Sequence, residues 1–177
     1  MTLRRALIGL TLLMAAARPA HADRFAPPAV RPDLTVSARP SSTRPQVGSV
    51  IKVRVEVRGA RQVGSVPFSL AYDPAILEFV PEASTQGSFL RKDGAATSFL
   101  AQAGTDREGR TTVVVGLSRL GTGTGASGSG VLCELTFRVR APGAAPLTFV
   151  RARALSPSAR PMEARFIGTS LHARRPR

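Results

Sequence analysis

Residues 66–78, which read V-P-F-S-L-A-Y-D-P-A-I-L-E, constrain the fold of this chain more than any other segment. Apolar residues up to Tyr72 alternate with small ones, and this period of two predicts a half-buried strand. Pro74 lacks a backbone donor and disfavours helical geometry at Asp73, so the strand must end there and the chain must turn. The Asp73 carboxylate can accept backbone N–H groups across that turn. Because Ile76 and Leu77 then return to the core, the segment predicts two strands joined by a tight corner.

Further strands are predicted between Gly- and Pro-rich turn signals. The clearest strand covers residues 51–58, where four apolar side chains alternate with four charged ones. The other strands are predicted at residues 34–38, 77–80, 98–103, 111–117, 131–139, 147–154 and 162–171. Residues 59–64 are predicted to form a turn, and the glycine-rich residues 121–130 a flexible connection. Eight or nine strands without a long helix predict an all-β sandwich. Its predicted core includes Val53, Val55, Phe68, Leu70, Leu135 and Phe137.

The N-terminus has the pattern of a secretory signal peptide. Arg4 and Arg5 precede an apolar run at residues 6–17, and Ala-His-Ala at residues 20–22 forms a cleavage site. The run is too short to span a bilayer. We therefore expect an exported protein that is secreted, periplasmic or at the cell surface, without a transmembrane segment after cleavage. The predicted parts are a signal peptide (1–22), a Pro-rich spacer (23–33), the sandwich (34–171) and a frayed basic tail (172–177).

The composition excludes several classes of function. The formal net charge is +14, and nearly all of the cations are arginines, since Lys52 and Lys92 are the only lysines. These arginines are dispersed and aromatic residues make up only 5% of the chain, unlike surfaces that stack nucleic-acid bases. We expect no nucleic-acid partner and interpret the arginines as residues of solvated strand faces.

Catalytic chemistry has little support in the sequence. The two histidines, His21 and His172, fall in the signal peptide and the tail, so the sandwich has no histidine base. Asp73, Glu78 and Glu82 are close in sequence, and paired carboxylates can hydrolyse glycosides. A turn-capping aspartate with two exposed glutamates is the favoured interpretation, and the protein is predicted not to be an enzyme.

Neither a metal nor a cofactor is predicted. Asp93, Asp106 and Glu108 lie in loops, but they lack the regular spacing of a calcium-binding loop. The single cysteine, Cys133, shares the parity of apolar neighbours and is interpreted as a small buried residue. A reactive thiol or an intermolecular disulfide is the alternative.

A carbohydrate-binding module on the same sandwich is the alternative function. Sugar sites present exposed rings, but the chain has no tryptophan. Tyr72 is predicted to lie in the core, so Phe89 and Phe99 are the remaining candidates for an exposed ring.

The sequence resembles the cohesin domain family over residues 34–171. The resemblance rests on V-x-V-x-V at residues 53–57, F-S-L-A-Y-D-P-A-I-L-E at 68–78, G-T-G-A at 123–126 and G-V-L-C-E-L-T-F-R-V at 130–139. It implies a jelly-roll β-sandwich of about nine strands in two sheets, with the first and last strands paired. It also implies a non-catalytic module that is linked to polysaccharide degradation and binds a dockerin, a small calcium-loaded helical module.

The resemblance implies that the dockerin docks on one flat sheet, formed by the central strand and the strands before and after G-T-G-A. Where cohesins of cellulosomes often carry Asn and Asp, this chain has Ser65 and Pro67. Similar lone domains accompany bacterial secretion and pilus machinery, so the expected partner is another exported protein of the dockerin, secretion or pilus type, and a polysaccharide is the alternative. The predicted partner-binding residues are Ser65, Pro67, Ser69, Ala71, Arg119 and Leu120.

Overall fold

The computed structural model describes residues 34–121 and 123–176. Its strands are β1 Leu34–Pro40, β2 Val50–Val63, β3 Phe68–Ala71, β4 Leu77–Phe79, β5 Thr85–Gln86, β6 Thr97–Thr105, β7 Thr111–Arg119, β8 Ala126–Val139, β9 Gly143–Ala152, β10 Ala154–Leu155, β11 Pro161–Met162, β12 Ala164–Ile167 and β13 Thr169–Ala173. Two short 3-10 helices, Pro81–Ala83 and Lys92–Gly94, lie between β4 and β6. The predicted signal peptide and spacer lie outside the described residues. None of the helices in the described ranges is long and apolar enough to cross a membrane.

The strands form two main sheets, which confirms the predicted all-β sandwich. The six-stranded sheet has the order β12-β1-β2-β8-β4, with β5 also paired to β8. The five-stranded sheet has the order β13-β9-β3-β7-β6, and the short strands β10 and β11 form a separate pair. Nine strands in the described ranges have four or more residues. The three-residue strand β4 was also predicted, at residues 77–80, whereas the two-residue strands β5, β10 and β11 are too short to leave a period in the sequence.

The core lies between the sheets and follows the predicted alternation. On β2, Ile51, Val53, Val55 and Val57 are at most 2% exposed, because the side chains of alternate residues point to the same face. Removing this apolar surface from water is the main stabilising term. The six predicted core residues are all buried, namely Val53, Val55, Phe68, Leu70, Leu135 and Phe137.

Two of the expected connections are wrong, because β2 and β8 are longer than the sequence suggested. β2 continues through the expected turn at residues 59–64, since bulges at Gly59 (φ 71°) and Gln62 (φ 52°) bend it without ending it. The expected flexible connection at residues 121–130 already belongs to β8 from Ala126, which is 2% exposed and pairs with Val63. A Cβ on Gly125 would lie 2.2 Å from the Gln62 carbonyl carbon, so this glycine permits a close backbone approach.

The C-terminal segment closes both sheets. The single strand predicted at residues 162–171 is divided at Gly168: β12 pairs in parallel with β1, whereas β13 pairs with β9. The pairing of β12 with β1 agrees with the expected pairing of the first and last strands. The expected fraying from residue 172 is wrong, because Ala173 is 2% exposed and Arg174 N–H donates to the Pro45 carbonyl at 2.8 Å.

Candidate interaction surface

The central strand β3 presents small side chains on the outer face of the five-stranded sheet, the face directed away from the core. Phe68 and Leu70 point inward, so Ser69 and Ala71 take the outward positions, where Ser69 is 9% exposed and Ala71 is half-buried. Ser69 pairs with Val114 of β7 and Arg151 of β9. Residues paired across strands share a face, so these positions extend the outer face sideways in both directions.

The outer face is nearly free of charge. On the edge strand β6, Leu100 is 52% exposed because its partner on β7 is Gly116, which has no side chain to cover it. Arg151 is the one charged residue among the outward positions of the five strands. The outward positions with small or neutral side chains are Ser69, Ala71, Ser98, Leu100, Gln102, Gly104, Val114, Gly116, Ser118, Ala144, Pro146, Thr148, Val150, Ser170 and His172. Thr112 has the same parity, but it is 1% exposed and offers no surface to a partner.

Ser65 and Pro67 extend this face before β3 begins. The Ser65 hydroxyl lies 2.8 Å from the Ser118 hydroxyl and donates to the Leu117 carbonyl at 3.1 Å. The Pro67 carbonyl accepts a bond from the Arg153 N–H at 3.0 Å. Both residues are half-buried, so they contribute shape to the surface more than free hydrogen-bonding groups.

The structure separates Arg119 from the other predicted site residues. Arg119 has the inward parity of Leu117, and its side chain is 5% exposed, with a guanidinium that donates to the Leu90 carbonyl at 3.4 Å and lies 3.9 Å from Asp93. The guanidinium therefore ties β7 to the loop at residues 90–93 and offers little surface to a partner. Leu120 has the outward parity and is 47% exposed.

The docking sheet that the resemblance implied is wrong in one of its strands. The strand before G-T-G-A is β7, which pairs with β3, but the strand after it is β8, which belongs to the six-stranded sheet. The chain crosses between sheets at this loop because β8 must pair with β2 along most of its length. The outer face therefore combines β3 and β7 with β6 and β9.

A groove of about 540 Å³ continues the outer face at the Asp73-Pro74 corner. The Asp73 carboxylate accepts the Ala75 N–H at 2.9 Å, which gives the predicted turn cap. The Tyr72 ring packs edge-on against Phe137 with centroids 5.3 Å apart, and burial, followed by the Glu78 charge, raises the pKa of Tyr72. The groove is lined by Ala71, Tyr72, Asp73, Pro74, Gly109, Arg110, Thr111, Pro146, Thr148 and Val150.

Arg110, on the groove wall, is held by the β6–β7 hairpin. Its Nε donates to Asp106 at 2.7 Å, and its Nη2 donates to Glu108. Desolvation raises the pKa of Asp106, but hydrogen bonds from the Arg110 N–H, the Arg110 side chain and the Glu108 N–H lower it by more, so the pKa lies below its usual value. The wall therefore carries a fixed guanidinium with its countercharges already in place.

The opposite outer face, on the six-stranded sheet, is charged. Glu134 lies 3.0 Å from Arg54 and 3.6 Å from Lys52, and Glu56 lies 3.4 Å from Arg39. Exposed pairs of this kind stabilise a fold only slightly, but they surround the face with tightly hydrated groups. The two faces of the sandwich thus differ sharply in chemistry.

Of the acidic residues considered for catalysis, Asp73 caps the turn and Glu78 forms ion pairs, whereas Glu82 is exposed. Glu78 lies 2.6 Å from Arg140 and 3.7 Å from Arg138, and the hydrogen bond from Arg140 lowers the pKa of Glu78. A general acid requires the opposite shift. In the described ranges, no group of three or more His, Cys, Asp or Glu side chains is placed to hold a metal ion.

The aromatic and thiol candidates are inside the protein. Of the two candidates for an exposed ring, Phe89 is fully buried and Phe99 is half-buried. Phe89 is buried because its loop folds back over β8, where the Phe89 N–H donates to the Val131 carbonyl at 2.9 Å. Cys133 is fully buried, as its parity predicted, and desolvation raises the pKa of its thiol.

Sequence reasoning missed two components of this surface, Leu100 and the groove. Leu100 shares the parity of the polar residues Ser98 and Gln102, and this period of two could have identified it as an outward leucine. The groove combines three separate loops and strands, and nothing in the sequence indicates that they meet.

Comparisons with known proteins point to one family. The family model of the cohesin domain matches residues 36–156. A non-cellulosomal cohesin from the archaeon Archaeoglobus fulgidus has a TM-score of 0.61 and 23% identity, over 80% of this chain and 91% of that one. No curated protein matches the chain.

Two further solved structures share the fold. The second type II cohesin module of the ScaA scaffoldin of Acetivibrio cellulolyticus has a TM-score of 0.65 and 12% identity, over 77% of this chain and 88% of that one. A type I cohesin in complex with a dockerin from Clostridium thermocellum has a TM-score of 0.64 and 14% identity, over 82% and 96% of the two chains.

Proposed function

The chain belongs to the cohesin family, and from this premise we propose that it is an exported, non-catalytic module whose neutral outer face binds another exported protein. The partner is of the dockerin type or a component of the secretion or pilus machinery. Support for the dockerin class comes from the fold shared with a cohesin that was solved in a cohesin–dockerin complex. Support for export comes from the Ala-His-Ala cleavage pattern at residues 20–22.

The contrast between the two outer faces carries the proposal. Interface centres are depleted of charged residues, because charges are costly to strip of water. The outer face of the five-stranded sheet has small neutral side chains around Ser69 and Ala71, whereas that of the six-stranded sheet has rows of ion pairs. A partner therefore desolvates the first face at much lower cost.

The shape of the neutral face suggests how a partner binds. Leu100 and Leu120, 52% and 47% exposed, are apolar contacts at one side of the face. The groove at the Asp73-Pro74 corner, at the end of β3, is large enough for a protruding side chain. Well-packed apolar anchors of this kind supply most of the affinity in protein interfaces. Cleavage after residue 22 removes Arg4, Arg5 and Arg18 and takes the formal net charge from +14 to +11. Since Arg151 and this charge attract acidic surfaces, affinity for an acidic partner should fall with salt.

The carbohydrate-binding alternative has less support. The described aromatic rings are all buried or half-buried, with Phe89 at 0% exposure and Tyr72 packed on Phe137. A sugar platform needs a ring face open to solvent. Binding to insoluble polysaccharide is therefore measured in the same test, as the outcome that would favour this alternative.

The test is capture of the partner from the exported fraction of the native cells, followed by titration of the purified partner. Ala71→Arg places a long cation at the centre of the neutral face. Ser37→Arg is the matched control, because it adds the same side chain to a small half-buried residue on the outer face of the six-stranded sheet. Both variants are first compared with the parent protein by thermal unfolding.

Loss of affinity in Ala71→Arg of tenfold or more, with parent-like affinity in Ser37→Arg, supports the proposal. Equal affinity in all three proteins rules out the neutral face. Retention on insoluble polysaccharide without a protein partner supports the carbohydrate-binding module instead.

A further inference from the structure

The edge strand β6 is long, and in the described part of the chain one of its two backbone edges is unpaired; at its first residue, the Gln86 side chain donates to the Thr97 hydroxyl at 2.8 Å. It pairs with β7 along all nine residues, and within residues 34–121 and 123–176 no other strand pairs with it. Alternate residues of an edge strand direct N–H and C=O groups away from the sheet, where another strand can pair with them.

The other sheet edges are short or covered. β4 and β12 have three and four residues. β13 is covered by the loop before β2, since His172 N–H donates to the Thr43 carbonyl and Val47 N–H donates to the Arg174 carbonyl, at 2.8 and 2.9 Å. Of the edges in the described ranges, β6 thus offers the longest open row of backbone groups.

β6 also lacks the devices that protect natural edges. Its sequence, T-S-F-L-A-Q-A-G-T, contains neither a charged residue nor a proline, and these are the usual means of preventing edge pairing. Leu100 adds an apolar side chain that is 52% exposed on the outer face.

We propose that β6 pairs with β6 of a second copy of this chain, antiparallel and about a two-fold axis. The register that pairs all nine residues is centred on Ala101. It places Leu100 of one copy opposite Gln102 of the second, twice by symmetry. The seam contains no charged side chain, so the two cationic chains meet there without placing like charges opposite each other.

The charges at the two ends of β6 favour the antiparallel direction. Arg91 and Lys92 precede the strand and outnumber Asp93, so this end is basic. The hairpin after the strand is neutral, because Asp106 and Glu108 balance Arg107 and Arg110. Antiparallel pairing brings the basic end of each copy toward the neutral hairpin of the other, whereas parallel pairing would bring the two basic ends together.

The pairing would join two five-stranded sheets into one of ten strands. A two-fold axis perpendicular to the sheet leaves both outer faces on the same side. A partner with two recognition elements would then bind both faces with increased avidity. The pairing itself does not depend on what the outer face binds.

The test is analytical ultracentrifugation of the mature protein over a range of concentrations. The double variant Leu100→Lys with Gln102→Lys places lysines opposite each other across the seam, and we expect its dimerisation constant to weaken at least tenfold. Leu100→Lys with Gln102→Glu places opposite charges across the same seam and should restore dimerisation. Thr148→Lys, on β9 of the same outer face, is the control and should dimerise like the parent.

A parent protein that stays a single copy at every concentration overturns the proposal, as does equal dimerisation of the two double variants. Open-ended assembly beyond two copies overturns the two-fold arrangement. Because oligomeric mass is measured without any partner, failure here is distinct from failure of the proposed function.

Discussion

Replacing Phe137 with alanine tests the packing at the centre of the sandwich. Phe137 is fully buried and lies between Tyr72 and Phe79, with ring centroids 5.3 and 5.5 Å away. Phe-to-Ala substitutions in cores cost about 3–5 kcal/mol, and each ring pair adds about 0.5–1.5 kcal/mol to simple burial. The two lost pairs put the expected loss of unfolding free energy near the upper end, about 4–5 kcal/mol.

The measurement is urea unfolding, followed by far-UV circular dichroism and tyrosine fluorescence. The chain has no tryptophan and one tyrosine, Tyr72, so its emission reports on the ring that packs against Phe137. A loss of this size should lower the urea midpoint by about 2 M and the melting temperature by roughly 10–20 °C.

Two further variants calibrate this result. Phe137→Leu keeps most of the volume and should cost about 1–2 kcal/mol. Val50→Ala, at a position 56% exposed, should cost less than about 1 kcal/mol. If Phe137→Ala unfolds cooperatively with a loss below about 2 kcal/mol, the ring does not occupy the packed centre and the reasoning fails.

Three other predictions concern single sites. Cys133 should resist thiol reagents in the native protein and react once the chain is unfolded in urea, as followed by mass spectrometry, because its thiol is buried and its pKa raised. Gly168→Ala should lower the unfolding free energy by about 1–3 kcal/mol, because its Cβ would lie 2.4 Å from the Leu147 carbonyl oxygen. The hydrogen bond from Arg140 lowers the pKa of Glu78 in the folded protein. The stability that this pair contributes is therefore complete above the ordinary value of 4.5 and is lost as the pH falls below it. Urea midpoints measured between pH 7 and pH 3 should fall less steeply in Glu78→Gln than in the parent protein.

Each of these predictions has a control and a contradicting result. Native modification of Cys133 as fast as in urea would contradict its burial. Gly123→Ala, where a Cβ meets nothing within 4 Å, should be near neutral, and an equal loss at both glycines would remove the argument from close approach. Arg140→Gln removes the partner of Glu78 and should make the fall of the urea midpoint with pH less steep, as Glu78→Gln does; an unchanged fall in Arg140→Gln would contradict a specific ion pair.

The parts of the fold that sequence predicted are those set by local chemistry. Alternation along residues 51–58 reflects one buried face, and the turn at Asp73-Pro74 follows from Pro74 itself, so both features could be read from neighbours in the chain. The strand before that turn is shorter than predicted, since β3 covers Phe68–Ala71 and not residues 66–72. The same alternation identified Ser69 and Ala71 as outward residues.

The parts that sequence did not predict depend on distant contacts. Glycines signal turns locally, but Gly59 bends a strand that β8 holds in place, and Gly125 allows contact with Gln62. Arg119 was predicted to bind a partner, but it has the inward parity of Leu117 and contacts the loop at residues 90–93. The groove likewise exists only after three separate segments meet.

The division of the last strand at Gly168 bears on the order in which the protein is made. β12 pairs with β1, from the opposite end of the domain, and β13 completes the five-stranded sheet. Pairings between such distant residues fold slowly, because a long loop must close before they form. A chain truncated after residue 162 should therefore lack the native circular dichroism spectrum. Both sheets therefore stay incomplete until residues 164–173 are available to pair.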